Sequence, residues 1–200
     1  GVSNSSEHRL SEFNREYSLL KSILNKTDSL VYFSTTRIYD ELFVDTSYAK
    51  HKLKMEEFIA CSFKHYNIYR VPQLVGFSNN NSTLCNFISL AVDQGKVFDL
   101  YINARRNIID ISDLAEMVSK DLFNFHLSNT IEPIGNLLDY SIMEIINIFE
   151  FIYNKKAKYN LICEGTTQSF PKDFTKKILS LTDIVFDNQY LDKTLRKYYK

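Results

Sequence analysis

The residues best suited to chemistry lie between Val31 and Lys52, in the stretch VYFSTTRIYDELFVDTSYAKHK. A short apolar run, Val31 to Phe33, leads into three hydroxyls, Ser34-Thr35-Thr36. Further along come Tyr48 and, four residues later, Lys52. On a helix an i, i+4 pair shares one face, so the phenol and the ammonium can lie side by side. A free tyrosine titrates near pH ~10, and a neighbouring positive charge favours the phenolate and lowers that value. Such a pair is a general acid/base able to move a proton alongside a hydride. Thr35, at the C-terminal end of a strand, stands where open α/β sheets bind ligands. Its hydroxyl can hydrogen-bond the oxygen that gains or loses the proton. Tyrosine and lysine are common in this chain, so the pair by itself is equally the mark of an ordinary amphipathic helix.

The elements around this stretch must hold it in place. Phe13, Tyr17, Leu20, Ile23 and Leu24 recur at helical spacing and predict a helix over 11–24. Val31–Phe33 reads as a strand. Asp45 to Ser47 supply N-cap chemistry for a helix over about 48–65. Asn67 to Val75 reads as a strand interrupted by Pro72, followed by a polar loop over 78–83. Leu84 to Gln94 predicts a helix stopped by Gly95. Val97 to Ile102 alternates like a strand, and Ile108 to Ile111 is a short apolar run. Ser112-Asp113 is expected to cap a helix reaching Phe125, and Ser141 another reaching Tyr153. A strand is expected over 159–163 and helices over 171–179 and 188–199. Strands alternating with helices predict an α/β fold with a largely parallel sheet.

Composition narrows the function. A chain of 200 residues, 44% hydrophobic and 24% charged, suits one domain, or one with a small appendage. With 24 basic and 24 acidic residues the formal net charge is zero, so no field gathers nucleic acid or an anionic membrane. Lys155-Lys156-Ala157-Lys158 reads as a solvated turn. Cys61, Cys85 and Cys163 lie far apart without CxxC spacing, against a disulfide framework or a zinc site; they read as reduced thiols of a cytoplasmic protein. No apolar stretch is long enough to span a bilayer, and the polar N-terminus does not read as a signal peptide.

The sequence FSTTRIYDE followed by SYAKHK resembles the extended short-chain dehydrogenase/reductase family, in the branch acting on nucleotide-sugars. That pattern is a strand ending in Ser-Ser/Thr, a Val-Tyr-Gly turn, then Tyr-x-x-x-Lys. The likeness continues in order. YNIYRVPQLVG (66–76) is similar to the family's strand ending Arg-x-Pro-x-x-x-Gly. ARRNIIDISDLAEMV (104–118) is similar to its Arg-Asp-Phe-Ile-His-Val-x-Asp-Val-Ala segment. The resemblance implies a partial Rossmann-like parallel sheet flanked by helices, with a small mixed α/β C-terminal substrate region. Residues 1–78 would belong to the dinucleotide-binding part and 79–200 to the substrate region interleaved with the last sheet elements. It implies NAD or NADP as cofactor and a nucleotide-sugar as substrate. By the same resemblance Tyr48 is the acid/base and Thr35 holds the reacting oxygen. Lys52 binds the nicotinamide ribose and lowers the pKa of Tyr48. Pro72 lies near the nicotinamide, Gln73 touches the nucleotide-sugar, and Arg106 meets the diphosphate. Family members commonly dimerise through a four-helix bundle, implying a homodimer through helices 11–24 and 48–65.

The departures are informative. The dehydratase branch follows its catalytic Thr with Asp-Glu; this chain has Thr36-Arg37, against 4,6-dehydration. Asp110 stands in place of the family's His, and Asp40 in place of the glycine after the first tyrosine. The glycine-rich pyrophosphate turn is not among Gly1, Gly76, Gly95, Gly135 and Gly165, no two of which have phosphate-loop spacing. Gly1-Val2-Ser3-Asn4 resembles the segment just after the family's fourth strand, so the expectation is a truncated chain without its first βαβαβ portion. The function expected of the full-length form is an NAD(P)-dependent nucleotide-sugar epimerase. A 4-ketoreductase of the same family, or a non-catalytic α/β module without cofactor, are the alternatives.

Overall fold

A computed structural model describes residues 2, 4–167 and 169–199; Gly1 and Ser3 of the GVSN segment lie outside the described residues. The chain runs α1 (Leu10–Ile23), β1 (Ser29–Thr35), a 3-10 turn (Thr36–Tyr39), α2 (Ser47–Ser62), β2 (His65–Val71), β3 (Gln73–Val75) and α3 (Leu84–Gln94). It continues through β4 (Val97–Tyr101), β5 (Arg105–Asp110), α4 (Ile111–Phe125), β6 (Thr130–Pro133), β7 (Asp139–Ser141) and α5 (Ile142–Tyr153). It closes with β8 (Lys158–Ile162), α6 (Asp173–Leu179) and α7 (Tyr190–Tyr198).

The strands form three small sheets, ordered β1-β2-β6, β3-β5-β7 and β4-β8. All pairings are parallel except β5 with β7. The α/β, Rossmann-like expectation therefore holds, with the sheet divided into pieces. Pro72 explains one division. It has no N–H to give a ladder, so the apolar run over 67–75 splits, β2 pairing with β1 and β6 while β3 pairs with β5. Gly135 packs against this corner. A Cβ there would meet Asn107 Oδ1 at 2.6 Å and Pro72 Cγ at 2.8 Å, so no larger residue fits.

Helix α2 shows how packing and chemistry share a surface. Its buried positions Tyr48, Lys52, Met55 and Ile59 follow the 4-3-4 spacing of one helical face. Met55 and Ile59 join Leu20, Tyr32, Phe63 and Ile68 in a core between α1, α2 and the first sheet. Burying each such side chain contributes about 1.5–3 kcal/mol. A second core joins Tyr69 and Ile109 to α4 and α6, and a third gathers α3, α5, α7, β4 and β5.

Several expected boundaries move. Helix α2 ends at Ser62, not 65, because His65 opens β2. Its N-cap is Thr46, whose hydroxyl accepts from the Ala49 N–H at 3.2 Å. Helix α4 is capped by Asp110, not by Ser112-Asp113: the Asp110 carboxylate accepts from the Ser112 N–H at 2.8 Å. Asp110 also receives Lys197 and Tyr198 of α7, both at 2.7 Å. Gly95 ends α3 in the left-handed conformation (φ 64°), and Ser141 caps α5 in a reciprocal box with Glu144. Strands β6 and β7 have no counterpart in the sequence reading; at 4 and 3 residues they carry too little periodicity to register.

Candidate active site

Two adjoining clefts open at the C-terminal ends of β1 and β2. The first, roughly 350 Å³, is bordered by Thr35, Thr36 and Arg37, by Tyr48 and Lys52 of α2, and by Pro72 and Gln73. Asn80, Ser82 and Thr83 of the polar loop face them. The second, roughly 400 Å³, is walled by Phe87, Ile88, Phe98, Ala104 and Ile142, with Arg106 and the loop 164–166 at its polar side. Arg37 and Gln73 border both. Of the residues singled out in the sequence, the fold thus gathers Thr35, Tyr48, Lys52, Pro72 and Gln73 around one cleft and places Arg106 in its neighbour.

Parallel pairing explains the meeting. β1 and β2 run in register from Ser29↔His65 to Thr35↔Val71, so the hydroxyl cluster and the Pro-Gln pair leave the sheet at the same level. Helix α2 packs on β1 and turns Tyr48 toward Thr35, whose hydroxyl lies near enough to favour the phenolate. Thr35 Oγ1 also accepts from the Arg37 N–H at 3.1 Å, which fixes the hydroxyl.

Lys52 does not stand beside the Tyr48 phenol as its charge partner. Its ammonium donates to Glu16 Oε1 of α1 at 3.0 Å and to Tyr32 OH at 2.8 Å. The other Glu16 oxygen lies 2.7 Å from His51 Nε2, and the Val2 backbone N–H bonds the carboxylate too. Glu16 is 2% exposed and Lys52 4%. Burial alone would raise the Glu16 carboxyl, but the Lys52 charge and the bonds from His51 and Lys52 hold it below the ordinary carboxylate value. Burial pushes Lys52 down against the pull of Glu16 and pushes His51 down likewise. The neutral imidazole then donates Nε2–H to Glu16 while its ring stacks on Phe13 at 4.5 Å.

Burial raises the Tyr48 phenol above its ordinary value and the Glu16 charge adds to this; the Thr35 hydroxyl and the Arg37 charge only partly offset it. Of the charges acting on the phenol, Glu16 raises its pKa and Arg37 lowers it, while Lys52 is paired with Glu16. A raised value favours the protonated phenol, which is a proton donor.

Sequence reasoning overlooked Glu16 and His51, and marked Arg37 only as a departure from the dehydratase pattern. Glu16 gave a usable signal, since it lies three residues after Phe13 and four before Leu20, inside the apolar stripe of α1. A carboxylate in such a stripe needs a buried partner. The second buried pair near the site, Glu56 with Arg70 at 2.6 Å, also receives Ser34 at 2.5 Å, and Arg70 donates to Tyr39 at 2.8 Å. This tie stiffens the turn after β1.

No protein-family profile matches the chain, and no curated protein matches it by sequence. Its fold is nonetheless found among solved structures. UDP-N-acetylglucosamine 4-epimerase from Bacillus cereus is 21% identical with a TM-score of 0.69, over 98% of this chain and 76% of that one. UDP-glucuronic acid 4-epimerase from Bacillus cereus, in complex with NAD, is 20% identical with a TM-score of 0.70, over 91% of this chain and 62% of that one. UDP-glucose 4-epimerase from Thermus thermophilus, also with NAD, is 15% identical with a TM-score of 0.68, over 90% of this chain and 67% of that one. The chain accordingly has the Rossmann-like fold of the NAD-dependent nucleotide-sugar epimerases and dehydratases, and spans between 62% and 76% of the length of these three.

Proposed function

We propose that this chain carries the proton-transfer and substrate side of an NAD(P)-dependent nucleotide-sugar epimerase-type enzyme. The observation that carries the reading is the convergence of Thr35, Tyr48, Lys52, Pro72 and Gln73 on one cleft that opens into a second containing Arg106. In this reading 1–78 supply the dinucleotide side and 79–200 most of the sugar and nucleotide side.

The nicotinamide, when bound, supplies hydride acceptance and return; the chain's own residues do the rest. Lys52 fits a ribose: two of its three N–H donors go to Glu16 and Tyr32, leaving one for a ligand hydroxyl in the cleft. Thr35 holds the reacting sugar oxygen, and Tyr48 exchanges a proton with it. Arg106 forks onto the diphosphate, and Phe87 and Phe98 form an apolar wall in that same cleft. Ketone reduction is a specific second reading, because burial keeps Tyr48 protonated and a protonated phenol is the donor that a ketone oxygen needs.

A homodimer through α1 and α2 belongs to the same proposal; Leu19 and Leu53 on these helices are 53% and 36% exposed, and sedimentation at several concentrations tests it. The function is tested by melting curves with NAD, NADP and UDP-sugars, followed by chromatography of the sugar products. Binding at 100-fold over Kd stabilises by about 2.7 kcal/mol. No shift with any of them would leave a non-catalytic α/β module.

A further inference from the structure

Arg37 is the cation that this reading leaves without a role. It follows the hydroxyl cluster directly and borders both clefts. Its guanidinium is half-buried, lies over the Phe43 ring at 3.9 Å, and stands near enough to Tyr48 and Arg106 for their charges to interact. Among the described residues no carboxylate forms an ion pair with it. No Asp or Glu side chain lines the first cleft at all. The other cation there, Lys52, is already matched by Glu16. In the second cleft Asp99 accepts from the Asn160 amide at 3.1 Å, and the exposed Glu164 stands at its rim. The carboxylate whose charge acts on Arg37, that of Asp40, is buried and accepts from the Thr166 hydroxyl at 3.0 Å and the Leu42 N–H at 3.2 Å. Arg37 and Arg106 thus share the junction of the clefts, and among the described residues neither forms an ion pair with a carboxylate.

A half-buried guanidinium with no carboxylate partner is costly unless an anion arrives. Arg106 can serve one anion, the diphosphate. Arg37 lies on the Tyr48 side, where the sugar ring would sit. We propose that Arg37 binds a carboxylate borne by the sugar, so that the substrate class is an acidic nucleotide-sugar, a nucleoside-diphosphate uronic acid. This rests on the nucleotide-sugar reading of the same clefts and adds the charge of the sugar. The planar fork of Arg37 suits a carboxylate in two parallel hydrogen bonds, and its stacking on Phe43 pre-orients it.

Calorimetry on the wild-type protein with UDP, UDP-glucose and UDP-glucuronate tests the two ideas separately. UDP-glucuronate should bind about tenfold or more tightly than UDP-glucose, as one charge-assisted pair supplies. Equal affinity for the two esters overturns the proposal while leaving the nucleotide-sugar reading in place. No binding of any of the three overturns both. Arg37→Gln should remove the glucuronate preference and leave UDP affinity unchanged; equal weakening of all three would assign Arg37 to the diphosphate instead. Arg37→Lys, which keeps the charge, should retain part of the preference. The comparison between the two esters needs no variant, so it stands even if Arg37→Gln does not fold.

Discussion

The two clefts treat charge in opposite ways. Behind the first, Lys52, Glu16, His51 and Tyr32 form a closed set, with the carboxylate accepting from three side chains and a backbone N–H. At the second, among the described residues, Arg106 donates only to the backbone carbonyls of Arg105 and Thr166, and Arg37 stacks on Phe43. A closed set fixes geometry before any ligand comes, whereas open cations make affinity depend on what the ligand brings. The contrast teaches that a Tyr-x-x-x-Lys spacing does not settle what the lysine's charge is for. Here much of it is spent holding α1 against α2, and the charges that act on the phenol are those of Glu16 and Arg37, with opposite signs.

Tyr48→Phe is the strongest way to break this comparison. In the full-length form, removing the phenolic proton should cut turnover by about 100-fold or more while the melting temperature changes little. Unchanged turnover would remove Tyr48 from its role. Next in size is Glu16→Ala, which leaves Lys52 buried without its counter-charge and should cost about 3–5 kcal/mol, read as a lower midpoint in urea. A loss below about 1 kcal/mol would mean that Lys52 finds water or another partner, as an exposed ion pair does, and that the set is not closed.

The same set predicts an acid-side loss of stability. His51 has its folded value depressed below 6.5, so unfolding takes up a proton and stability falls as the pH drops below that value. Glu16 has its folded value depressed below 4.5. Its contribution is present above 4.5 and fades as the pH falls through the folded value. His51→Gln should flatten the upper part of the curve and leave the lower part; an unaltered curve would take His51 out of the set.

At the second cleft, Arg106→Gln should weaken UDP binding about tenfold, or about 1.4 kcal/mol; no change would assign its guanidinium to bracing the 164–166 loop. The smallest effect is expected at Lys50, paired with Asp45 at 3.0 Å but 62% exposed. Lys50→Ala should move stability by less than about 0.5 kcal/mol, and a loss rivalling that of Glu16→Ala would erase the distinction between closed and open pairs.

Much of the fold was legible because its signals are local. The stripe of α1, the proline break between β2 and β3, the αL stop at Gly95 and the Ser141 cap each depend on neighbours a few residues away. The α4 cap was displaced to Asp110 because Ser112, Asp113 and Asp110 all suit an N-cap, and only the chain's path chose among them. Strands β6 and β7 escaped because their order comes from pairing with β2 and β5, not from a pattern of their own.

By itself the sequence determined that Tyr48 and Lys52 share a helical face and that a hydroxyl cluster ends an apolar strand, since 3.6-residue and two-residue periods are properties of the backbone. Which charge meets which was decided by tertiary structure. Glu16 reaches Lys52 across 36 residues, and Asp40 meets Thr166 across 126. Such pairings follow from how helices and sheets pack, which no short window of sequence contains. They left Lys52 matched and Arg37 open at the mouth of the site.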